Sequence, residues 1–147
     1  MTPASSTGVP LDTETPADTT SKTMRRVGYA LSAISVLFLL MDSAMKLLAL
    51  PIVLESTAQL GYPSTLAFAR TLGIVLLVCT ALYVYPRTSV LGAVLLTAYL
   101  GGAVATHVRV GSPLLTHTLF GVYLGLFVWG GLFLRNERLR ALFPWRR

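Results

Sequence analysis

Between Thr88 and Val108 the chain holds no Asp, Glu, Lys or Arg. At about 1.5 Å of rise per residue, a helical run of that length crosses a bilayer core of about 30 Å. Within it Ala98, Gly102 and Thr106 recur at every fourth position. Small residues so spaced make a flat stripe on one helix face, and such stripes let helices approach closely in lipid. The polar residues His107 and Arg109 close the far end of the run.

Three more apolar runs surround this one. The spans are expected at about 27–49, 65–85, 88–108 and 114–134. Pro51 biases Leu50 away from helix and ends the first. The segment 52–60, with Glu55, is a brief surface helix or loop. Gly61-Tyr62-Pro63-Ser64 reads as a turn, with Ser64 as the N-cap of the second span. Pro86-Arg87 makes a tight link to the third span, and 109–113 another turn. The fourth span carries Gly121 and Gly125, again four apart, as a helix-packing pair. Short links make successive helices antiparallel neighbours. The expected fold is all-α: an up-down four-helix transmembrane bundle over residues 24–135.

The ends of the chain differ from its middle. Residues 1–23 are rich in Thr, Ser, Pro and Asp, too polar to offset their ordering entropy, and are expected to be a disordered tail. The positive charge before the first apolar run could belong to a signal peptide. The long tail ahead of it, the lack of a small-residue cleavage site and the three later runs argue against one. Residues 136–147 form a basic tail.

Charge decides the orientation and the partner. The net charge is +6, but hydrophobic residues make up 54% and charged residues only 12%. Lys22, Arg25, Arg26, Arg87, Arg135, Arg138, Arg140, Arg146 and Arg147 all sit at one set of loop ends. The opposite loops carry only Arg109. This bias places both termini in the cytoplasm. Cations flanking apolar runs point to the lipid bilayer and its anionic head groups, not to nucleic acid. Cys79 is the only cysteine, which excludes an intrachain disulfide, a CxxC redox pair and a cysteine metal cluster.

In this topology the ionisable residues of the spans fall at one depth. Asp42 and Lys46 lie late in span one, and Arg70 early in span two. His107 and Arg109 end span three, and His117 begins span four. All six lie in the outer half. An ionisable group inside a span costs at least about 2.5 kcal/mol and is a functional-site candidate for that reason. These six are the candidate ligand-binding or polar-network residues. The structural alternative is that Asp42 and Lys46 neutralise each other, Arg70 snorkels, and the histidines are interfacial. No catalytic residue stands out, and two histidines with one carboxylate carry no metal-ligand spacing, so no metal is expected. Tyr83, Tyr85, Trp129, Phe143 and Trp145 are expected in the cytoplasmic aromatic belt.

MDSAMKLL (41–48), LGYP (60–63), ARTLGI (69–74), PRTSVLGAVLLTAYLGGAVATHVRVG (86–111) and WGGLFLRNERLRALFP (129–144) resemble the DoxX-like family. LTAYLGGAVATHVRVG is the most specific part. The resemblance implies a four-span protein of the bacterial inner membrane, with Lys46, Arg70, His107 and Arg109 as family-pattern positions. Leu76 stands where the family often has a glutamate. The family name comes from a subunit of a thiosulfate:quinone oxidoreductase, so the resemblance implies a redox or stress-related membrane component.

Three functions are compatible with this reading. The outer polar residues could hold a quinone or similar amphipathic molecule beside a redox partner subunit. The chain could be a non-catalytic scaffold or accessory subunit, whose polar cluster locks helix register. It could be a small transporter, which the apolar inner half disfavours. No flavin, haem or iron–sulfur motif is present in the sequence, so any redox group belongs to a quinone or a partner.

Overall fold

Apolar runs in lipid must satisfy every backbone N–H and C=O within themselves, and helices do so. The computed structural model describes residues 16–142. It contains α1 (Pro16–Leu47), α2 (Pro51–Gln59), α3 (Leu66–Val84), α4 (Ser89–Arg109), a π-helical turn (Leu114–Thr118), α5 (Phe120–Arg135) and α6 (Glu137–Leu142). Four helical segments are long and apolar enough to cross a membrane: Ser21–Leu47, Leu66–Val84, Ser89–Arg109 and Leu114–Arg135. They agree closely with the four expected spans. Residues 16–23, expected in the tail, belong to α1. The rest of the tail, like residues 143–147, lies outside the described residues.

The four long helices form an antiparallel ring. α1 packs on α3, α3 on α4, α4 on α5, and α5 closes back on α1. α2 lies across the start of α3. The core is lined by Leu39, Leu76, Tyr83, Leu96, Val128 and Leu132. Leu76 is fully buried there.

Close helix approach is made on different faces from the expected one. The inward face of α1 is Gly28, Ser32, Ser35, Leu39 and Ser43, all buried. A Cβ added at Gly131 would lie 2.5 Å from Ser32 Oγ and 2.8 Å from Ser32 N. One at Gly28 would lie 2.8 Å from the Arg135 N. The α1–α5 seam is therefore a backbone-to-backbone contact, which small residues alone permit. Ser35 and Ser43 donate to the carbonyls of Leu31 and Leu39, so their polarity stays within their own helix.

The stripe on α4 divides. Ala98 and Gly102 are exposed, and a Cβ on Gly102 would meet nothing within 4 Å. Thr106 is buried. The inward face of α4 runs instead through Gly92, Ala93, Leu96 and Leu100, one side of the helix away from Ala98 and Gly102. On α5, Gly121 packs against Val104 and the Leu100 carbonyl, while Gly125 meets nothing. Within this chain Gly121 thus lies against α4, while a Cβ added at Gly102 or Gly125 would meet nothing within 4 Å.

Three helices stop at one end of the bundle by the same device. Ala49, Gly61 and Gly111 have φ of 49°, 76° and 69°. Each is followed by an N–H reaching back five residues: Leu50 to Met45, Tyr62 to Thr57, and Ser112 to His107. These are Schellman endings, which favour a left-handed residue just past the helix. At the start of α3 the cap is Thr65, whose hydroxyl accepts from Phe68 N, rather than Ser64. Thr65 stands three residues before the N–H it caps, the N3 spacing of an N-cap hydroxyl.

Candidate functional site

The end of the bundle where α1 and α4 finish, here the histidine end, gathers all six candidate residues. They divide into separate groups. Lys46 donates to Asp42 within α1, one turn apart. Arg70 is exposed, and its Nε donates to the Leu47 carbonyl at 3.4 Å. It meets the end of α1, not the Asp42 carboxylate. Gly73, one turn further along α3, lets α3 lie directly on Lys46 and Leu47.

Arg109 turns toward α2. Its guanidinium donates to the Leu60 carbonyl and lies over the Tyr62 ring, 5.9 Å from the centroid. Tyr62 in turn shares a 3.0 Å hydrogen bond with Thr106, whose hydroxyl also donates to the Gly102 carbonyl. The Tyr62 ring stacks on Phe68 at 5.3 Å. α2, the start of α3 and the end of α4 are clasped together by this set.

His107 and His117 make the third group. Their ring centroids are 6.0 Å apart, tilted by 55°. His107 Nδ1 is 3.0 Å from Ser112 Oγ, and His117 Nδ1 is 2.8 Å from Thr116 Oγ1. The π-helical turn, held by Thr118 N to the Pro113 carbonyl and Leu119 N to the Leu114 carbonyl, carries His117 to this place. Among the described residues, no hydrogen bond or ion pair joins Asp42–Lys46 to Arg70, or either to His107. Asp42–Lys46, Arg70–Leu47 and His107–Ser112 are separate contacts at this end.

Other polar contacts were not visible in the sequence reading. Tyr83 is fully buried rather than part of an aromatic belt. Its hydroxyl bonds Ser32 Oγ and donates to the Val128 carbonyl, both at 2.9 Å. Arg135 lies over its ring at 4.9 Å and donates to its carbonyl at 3.3 Å. The three helices α1, α3 and α5 meet at this tyrosine. Trp129 Nε1 donates to Thr97 Oγ1 at 2.8 Å and links α5 to α4. Two signals for these contacts were present. Gly28, Ser32 and Ser35 repeat at helical spacing, and Tyr83 lies four residues past Cys79 on the buried side of α3.

An apolar groove of ≈ 480 Å³ lies between α1 and α3, lined by Leu40, Leu77, Thr80, Ala81, Val84, Tyr85 and Pro86. It runs toward the α3–α4 turn, away from the histidine end. No described buried side-chain polar atom lacks a hydrogen-bond partner. Chemically, the histidine end is built to hold loops together. The guanidinium of Arg70 and the ring of His117 are exposed there.

Residues 30–131 match the model of the DoxX-like family. No curated protein and no solved structure matches the chain.

Proposed function

The chain belongs to the DoxX-like family, and on that premise we propose that this multi-pass membrane protein is a non-catalytic scaffold or accessory subunit. The supporting observation is how the candidate polar residues are used. Asp42 and Lys46 pair with each other, Arg109 clasps α2, Arg70 reaches the end of α1, and His107 bonds the following turn. Exposed and part-buried polar groups used this way tie helix ends to their neighbours. The exposed face of α4, with Ala98, Gly101, Gly102 and Ala105, is the side open to another membrane helix. By the charge bias, the arginine end and both termini face the cytoplasm of a bacterial inner membrane.

Native mass spectrometry of complexes extracted in lipid tests this reading. The parent should carry a protein subunit, and Gly102→Leu should lose it without losing the fold. A parent that travels as a lone chain with no subunit contradicts the proposal.

A second reading has one observation in its favour. Arg70 is exposed with a single long bond, so most of its N–H groups remain able to bind a quinone carbonyl. Added quinone should then raise the melting temperature of the parent and not that of Arg70→Ala.

A further inference from the structure

We propose that His107 and His117 form a two-imidazole site for a divalent transition-metal ion, such as Cu²⁺ or Zn²⁺, at the histidine end. The rings come from different elements, the last turn of α4 and the π-helical turn, and lie 6.0 Å apart. Two imidazoles bound to one ion at about 2.0 Å each place their ring centroids about 5–6 Å apart. The observed centroid spacing lies within that range.

The hydrogen bonds prepare both rings in the same way. Each Nδ1 is engaged by a hydroxyl, Ser112 for one and Thr116 for the other. When Nδ1–H donates to that hydroxyl, the Nε2 lone pair of each ring is left for a metal. Fixing the tautomer through the far nitrogen is how ligating histidines are usually oriented. His117 is exposed and His107 partly so, giving an ion access from the aqueous face. Arg109 does not obstruct it, because its guanidinium is held on the Leu60 carbonyl.

Imidazole nitrogens favour copper, zinc and nickel over magnesium or calcium, with Cu²⁺ bound most tightly among the divalent ions. Among the described residues no third His, Cys, Asp or Glu joins the pair. Water fills the other positions, which makes the ion exchangeable. A bound ion would pin the end of α4 to the start of α5 across the 110–113 turn.

The full-length chain, purified in detergent, is titrated with CuCl₂ and followed by electron paramagnetic resonance. One Cu²⁺ per chain with two-nitrogen hyperfine coupling is expected. His117→Ala and His107→Ala should each weaken binding at least tenfold. Zn²⁺ should raise the melting temperature of the parent but not of either variant. His117 is exposed, so His117→Ala should fold as the parent does and can decide the question alone if His107→Ala misfolds. Failure of the parent to bind Cu²⁺, or binding undiminished in His117→Ala, overturns the site.

Discussion

Ala49 is the one described non-glycine residue with positive φ, at 49°. The left-handed region costs an ordinary residue about 1–2 kcal/mol relative to glycine. Ala49→Gly should therefore stabilise the protein by about 0.5–1 kcal/mol, after loss of the small buried methyl and some chain entropy. A higher melting temperature in detergent is the readout. Tyr83 shows the opposite case, a side chain whose hydroxyl serves two other helices. Tyr83→Phe should cost about 1–3 kcal/mol, because Ser32 and the Val128 carbonyl lose a partner in a buried place. Sequence alone put Tyr83 in an interfacial belt, since a tyrosine near the end of an apolar run has the same composition signal in either position. Only the facing serine on α1 and carbonyl on α5 separate the two, and those are tertiary facts.

The elements were legible where their ends carry turn chemistry. Pro51, Gly61, Pro86 and Gly111 mark helix boundaries that the structure places within a few residues. Faces were harder to read. An all-apolar span has no polar side to exclude, so periodicity does not say which stripe faces the ring. The α4 stripe drew attention because it holds glycine, while Ser32, Ser35 and Ser43 on α1 looked polar although each is buried. Charge pairing was legible within an element and not between elements. Asp42 and Lys46 are one turn apart and pair. A double-mutant cycle on that pair should give coupling of at least about 0.5 kcal/mol, whereas Asp42 with His107 should be additive within that margin. Unfolding measured in lipid gives both values. Coupling of Asp42 to His107 would show that these two contacts are not independent.

At the scale of the molecule, an all-α fold with four helices long and apolar enough to cross a membrane was legible in four apolar runs. The orientation proposed from the arginine distribution is tested separately. A cysteine at Ser56 should react with an impermeant thiol reagent from the periplasmic side, and one at Arg87 should not. Reaction at Arg87 from that side would reverse the arrangement. The central claim is that α1 and α5 seal the ring through Gly28 and Gly131, leaving the Gly102 face of α4 unused by the chain itself. Thermal unfolding of Gly131→Leu and Gly102→Leu, each in lipid nanodiscs as a single chain, tests it directly. Gly131→Leu should lose about 3 kcal/mol or more, since overpacking there meets backbone. Gly102→Leu should unfold with the parent. Equal destabilisation of the two proteins would contradict this packing arrangement.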